Sequence, residues 1–70
     1  MNNWLVWSNE HGAWWRPNQR GYSRIMEEAG RYCESEANAI CFKANRYLPK
    51  GEVNEIKVLA PEGVKVLLMA

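Results

Sequence analysis

The stretch with most capacity for chemistry is Trp14-Trp15-Arg16-Pro17-Asn18-Gln19-Arg20-Gly21-Tyr22-Ser23-Arg24, where arginines are interleaved with aromatic rings. A guanidinium pairs with phosphate and lies flat on a base, and aromatic faces stack on bases. Trp, Tyr and Arg also dominate the energetics of protein interfaces. Between Glu10 and Glu27 the only charged residues, His11 aside, are Arg16, Arg20 and Arg24. Trp14, Arg16, Arg20, Tyr22 and Arg24 are therefore the candidate partner-binding residues. Three readings stay open. The rings are core with solvated arginines beside them, or the segment meets a protein, or it meets a nucleic acid. The enrichment of these residue types at interfaces ranks protein above nucleic acid.

The other reactive side chains form no catalytic pattern. His11 is the sole histidine, and the two cysteines, Cys33 and Cys41, lack the CxxC pairing of a zinc site, so no metal is expected. Cys41 falls on an apolar stripe, where a thiol behaves as a small hydrophobe rather than a nucleophile. The adjacent pair Glu27-Glu28 reads as solvated surface, because neighbouring carboxylates diverge while acid–base catalysis needs two that converge. There is no Asp in the chain, no serine in a nucleophile-elbow context and no glycine-rich loop after a strand. The expectation is a binding protein without enzyme activity and without a cofactor.

Composition sets the remaining bounds. Seventy residues at a formal charge of +1 predict one small domain over 1–70, and neither a bulk-charge nucleic-acid binder nor an acidic nucleic-acid mimic. A chain this short has little core, and its aromatic rings (Trp4, Trp7, Trp14, Trp15, Tyr22, Tyr32, Tyr47 and Phe42) are the expected source of buried area. No leader is read at the start of the chain, and no apolar stretch approaches the roughly 20 residues that span a bilayer. Cys33 and Cys41, read onto one helix, would lie about 12 Å apart, too far for a disulfide. That separation fits a reducing compartment.

These groups must be positioned by an α+β fold, an antiparallel sheet of about four strands in two hairpins with one packed helix. Trp4-Leu5-Val6-Trp7-Ser8 reads as a strand, Asn9-Glu10-His11-Gly12 as a turn and Ala13-Trp14-Trp15-Arg16 as the returning strand, stopped by Pro17. With Trp7 facing Trp15 and Val6 facing Arg16, one face carries Leu5, Trp7 and Trp15 and is assigned to the core. The other carries Trp4, Val6, Ser8, Trp14 and Arg16 and is assigned at least partly to solvent. Residues 17–21 read as a loop, and 22–28 as either a short strand or one helical turn.

The helix is the best-specified element, predicted over residues 34–47. Cys33-Glu34-Ser35-Glu36 has capping-box spacing, with Tyr32 and Ala37 at the hydrophobic-staple positions. Ala37, Ile40, Cys41, Ala44 and Leu48 then recur at helical spacing, with Ile40 central and expected to be buried. Glu34 and Glu36 start the helix, Lys43 and Arg46 end it, and Pro49 and Gly51 close it. The tail reads as a second hairpin. Glu55-Ile56-Lys57-Val58-Leu59 turns through Ala60-Pro61-Glu62-Gly63 into a strand over 64–69, which is apolar on both faces and could support a homodimer.

The run Trp7-Ser8-Asn9-Glu10-His11-Gly12-Ala13-Trp14-Trp15-Arg16-Pro17-Asn18 carries a resemblance. So do Gly21-Tyr22, Ala29-Gly30-Arg31-Tyr32 and Glu36-Ala37. Over residues 4–58 the chain resembles small proteins encoded by bacteriophages and prophages, and the WSNEH and AWWRPN runs are its most specific part. That family brings no activity to carry over, so no residue receives a role from it. The resemblance implies a setting: a phage accessory protein in the cytoplasm of a bacterial host. Its implied partner is a host protein or protein complex, CRISPR complexes and other defences among them, with inhibition as the consequence. The alternative is a small binder of single-stranded nucleic acid or nucleoprotein.

Overall fold

The helix forms where its cap places it. In the computed structural model, which describes residues 2–61, α1 spans Glu34–Asn45 with Cys33 in extended backbone at the N-cap. The Cys33 N–H donates to Glu36 Oε1 at 3.4 Å, and the Ala37 N–H closes the first turn on the Cys33 carbonyl at 3.0 Å. Tyr32 and Ala37, the staple pair, are buried in one cluster with Val6 and Ile40. Ile40 is buried as its central place on the stripe predicts, whereas Ala44 is exposed. The helix ends at Asn45, two residues short of the predicted span, and Arg46 still has helical backbone.

Four strands make one antiparallel sheet beside it: β1, Trp4–Ser8; β2, Ala13–Trp15; β3, Tyr22–Ser23; and β4, Glu55–Leu59. Their order is β3-β2-β1-β4. The 22–28 stretch contains both of its expected forms, β3 and then a single 3-10 turn at Met26–Glu28. The strand and homodimer contact expected from 64–69 lie outside the described residues.

The register of the first hairpin corrects the sequence reading. Trp7 pairs with Trp14, not Trp15, and Ser8 pairs with Ala13. The loop therefore holds four residues, 9–12. Ser8 fixes that length: its Oγ accepts the His11 N–H at 3.2 Å and bonds His11 Nδ1 at 3.0 Å. Gly12 takes the left-handed conformation, φ +59°, that returns the chain into β2.

A slip of one residue moves every side chain of a strand to the other face. Trp14 thus shares a face with Leu5 and Trp7, and Trp15 lies on the opposite one. The helix packs on the face of Trp4, Val6 and Ser8, which had been assigned partly to solvent; Val6 and Ser8 there are fully buried, and Trp15, assigned to the core on the other face, packs beside Val6 instead. Leu5 is also fully buried, under Ala29 and Ala60 with Trp14 alongside, on the face away from the helix.

Tyr32 ties the sheet to the loop that follows β2. Its backbone exchanges hydrogen bonds with Trp4 at 2.9 and 2.8 Å. Its hydroxyl donates to the Arg16 carbonyl and accepts the Gln19 N–H at 3.1 Å. The loop needs that support, because Asn18 and Gln19 are successive left-handed residues, at φ 59° and 57°. Gly30 lets the two backbones meet: a Cβ there would lie 2.9 Å from the Arg16 carbonyl and the Pro17 Cα.

Candidate functional site

The five sequence-predicted residues do not converge on one patch. Trp14, half-buried, meets Trp7 edge-to-face with ring centroids 4.9 Å apart on the side opposite α1. Tyr22 pairs with Trp15 on the helix side, so Trp14 and Tyr22 point to opposite faces. Arg16, Arg20 and Arg24 are exposed in the segments around β3. The acid-poor stretch of sequence is not acid-poor in space. Arg16 Nη1 lies 3.6 Å from Glu28 Oε1, which also accepts the Ser23 hydroxyl at 2.5 Å. Burial raises the Tyr22 pKa, and the nearby charges of Glu55 and Glu10 raise it further.

Three surfaces emerge instead. The first is the face of the sheet opposite α1. Cross-strand pairing aligns Trp14 with Trp7 and Trp7 with Ile56, and Leu5 with Val58. Trp7, Trp14 and Val58 are half-buried and Ile56 is exposed, with only Leu5 fully covered. Asn9 closes one end, accepting the Trp7 indole N–H at 2.9 Å and donating to the Val53 carbonyl at 3.2 Å. Val53 is itself exposed.

The second surface was missed from sequence, where Phe42 and Tyr47 were counted as core. They are 72% and 85% exposed on and just beyond α1. Between Glu36 and Glu52 every charge is basic: Lys43, Arg46 and Lys50. The Arg46 guanidinium sits over the Tyr47 ring at 4.7 Å. The available signal was positional: Phe42 lies off the Ala37–Ile40–Cys41 stripe.

The third is a group of aromatic rings on the helix side of the sheet. The helix packs over β1 and β4, and the aromatic groups of the β2–β3 side stand beside it. His11 and Tyr22 stack at 3.8 Å and 14°, and Trp15 meets Tyr22 edge-on at 5.5 Å. Glu55, on the edge strand β4, is paired across the ladder with Ser8 and is 4% exposed. Burial raises the Cys41 pKa, with Glu55 adding to it and Lys57 opposing. A separate hollow of ≈ 230 Å³ between the 17–19 turn and α1 is lined by Gln19, Glu36, Ala39, Ile40 and Lys43.

Both cysteines are free thiols, Cys33 at the helix cap and Cys41 on the helix. Among the described residues no group of three His, Cys, Asp or Glu side chains is placed to hold a metal. No helix among them is long and apolar enough to cross a membrane. Comparison with protein-family models, with curated proteins and with solved structures finds no match.

Proposed function

We propose that this chain is a non-enzymatic binding protein of phage type, which docks on a host protein or protein complex in the bacterial cytoplasm and inhibits it, defence complexes such as CRISPR effectors included. The observation that carries this reading is the sheet face opposite α1, where Trp7 and Trp14 pack edge-to-face beside exposed Ile56. Paired aromatic anchors with an aliphatic neighbour are the residue types that concentrate binding energy at protein interfaces. Among the described residues, Ala29 and Ala60 cover Leu5 on this face, while Ile56 stays exposed. Arg16, Arg20 and Arg24, exposed around β3, would form part of the polar rim.

The test is affinity capture from host lysate with the tagged chain, with and without nuclease and at raised salt. The expected result is one protein complex, held at fixed stoichiometry through both treatments and lost with Trp14→Ala combined with Ile56→Lys. Retention of that complex by the folded double variant rules out the face.

One observation favours a second reading, single-stranded nucleic acid. Exposed Phe42 and Tyr47 among Lys43, Arg46 and Lys50 combine stacking rings with phosphate-pairing cations. Capture that disappears with nuclease and weakens steeply with salt would select it.

A further inference from the structure

The hollow between the 17–19 turn and α1 has a volume of ≈ 230 Å³ and is lined by Gln19, Glu36, Ala39, Ile40 and Lys43. Its floor is apolar, since Ile40 is buried and Ala39 stands one residue before it on the helix. Its rim is polar, and two of the three polar groups are uncommitted. Neither the Gln19 carboxamide nor the Lys43 ammonium bonds to another described residue; Gln19 uses only its backbone N–H, on the Tyr32 hydroxyl. Lys43 also begins the basic run Lys43, Arg46 and Lys50 that accompanies exposed Phe42 and Tyr47. The hollow and that surface therefore share a residue.

We propose that this hollow receives one amino-bearing nucleobase of a nucleotide, cytosine or adenine, whose phosphate pairs with Lys43. The proposal rests on the nucleic-acid reading of the α1 surface and names the base that such a ligand presents. Size is the first argument. Pockets for drug-sized ligands start at about 300 Å³, so this smaller hollow suits a single ring system lying on Ala39 and Ile40. Edge chemistry is the second. A carboxamide both donates and accepts, matching adenine, and a carboxylate accepts from the cytosine amino group. Hydrogen bonds from Cys33, side chain first and backbone second, hold Glu36 below the ordinary carboxylate pKa. It is therefore an acceptor alone at neutral pH and opposes the carbonyl that uracil carries in place of the amino group.

Spacing is the third argument. Glu36 and Lys43 are seven residues apart on α1, about 10.5 Å along the axis. That is about the length of a mononucleotide from its base amino group to its phosphate. Gln19 is also set in place before any ligand arrives: its left-handed backbone, φ 57°, is supported by Tyr32.

The test is titration of the isotope-labelled intact chain with the 5′-monophosphates of cytidine, adenosine and uridine, and with ribose 5-phosphate. The expected result is saturable shifts of the Gln19 side-chain amide, the Ala39 and Ile40 methyls and Lys43, at roughly millimolar affinity. The cytidine and adenosine nucleotides should bind at least about fivefold tighter than the uridine nucleotide. Ribose 5-phosphate should bind weakest. Glu36→Gln keeps a capping side chain and should narrow the gap between cytidine and uridine, because a carboxamide can donate to the uracil carbonyl. Lys43→Gln should weaken all three nucleotides alike and flatten their salt dependence.

Equal binding of the uridine and cytidine nucleotides, an unchanged preference in folded Glu36→Gln, or no saturable shift at the hollow would each overturn the proposal. A single-stranded oligocytidine separates this failure from that of the surface reading. Shifts at Phe42 and Tyr47 with a silent hollow would overturn the base pocket and leave the surface standing. Silence at both would overturn both.

Discussion

Asn45, the last residue of α1, hydrogen-bonds both backbone groups of Glu55, the first residue of β4. Its Oδ1 accepts the Glu55 N–H at 3.0 Å and its Nδ2 donates to the Glu55 carbonyl at 2.9 Å. The same Oδ1 also accepts the Asn54 N–H at 2.9 Å. One carboxamide thus acts as a short substitute strand, joining the helix terminus to the outer side of β4.

Replacing Asn45 by Ala strips partners from two N–H groups and one carbonyl that are only partly open to water. The expected loss is about 2–4 kcal/mol in unfolding free energy by urea titration. Asn45→Asp retains the acceptor for both N–H groups and should lose less. Equal losses in the two variants would show that the acceptor oxygen is not the important half.

Tyr32→Phe keeps the buried ring but removes the hydroxyl from the Arg16 carbonyl and the Gln19 N–H. Stability should fall by about 1–3 kcal/mol. Because Asn18 and Gln19 hold left-handed backbone only with outside support, amide exchange at Gln19 and Arg20 should accelerate more than exchange within α1. Uniform acceleration would argue against local support.

Gly30→Ala places a Cβ against backbone, not against a side chain that could swing away. The cost should be about 1–3 kcal/mol, typical of overpacking. The thermal midpoint should drop even though alanine has less backbone freedom to lose. An unchanged midpoint would mean that the 16–17 and 30 segments can separate freely.

Stability should be lost on the alkaline side. Burial raises the pKa values of Cys41, Tyr22 and Tyr32, so the fold favours their neutral forms. Their contribution is complete below the ordinary thiol and phenol values of 9.0 and 10.0 and vanishes as pH rises through the higher folded values. Glu36 behaves oppositely. Its hydrogen bonds from Cys33, side chain first and backbone second, lower its pKa, so its capping contribution is present above 4.5 and lost as pH falls. Thermal midpoints should stay level through neutrality and decline above about pH 9. The Cys41→Ala and Tyr22→Phe variants should each show a shallower alkaline decline, and identical slopes would contradict the assignment.

The helix could be read from sequence because its signals are redundant. Cap spacing, the Tyr32–Ala37 staple and the apolar stripe all indicate one start. The hairpin was legible in its turn but not in its register. Val6 and Trp7 are both apolar, and Ala13, Trp14 and Trp15 offer no alternation, so nothing in the pattern distinguishes a three-residue loop from a four-residue one. The deciding contact, Ser8 to His11, is a side-chain bond inside the loop. Glu55 was overlooked for a related reason. Alternation placed it with Lys57 on the polar side of β4, and a polar strand face is normally given to solvent. Here that side faces the helix. Linear spacing also suggested that the arginine segment lay far from acids, although Glu28 and Glu55 are brought to it by folding.

The strand order has a consequence for how the chain is made. β1 is synthesised first but occupies the interior of the sheet, flanked by β2 a few residues away and by β4 some fifty residues downstream. As the chain leaves the ribosome, β1, β2 and β3 can assemble from local contacts while the other edge of β1 stays unpaired. That edge carries unmet backbone groups between apolar side chains until Glu55–Leu59 emerges, and such an edge can template pairing with another chain. Crowded polysomes therefore favour exchange of β4 between neighbouring nascent copies, and a chain released before residue 55 would leave this edge permanently open.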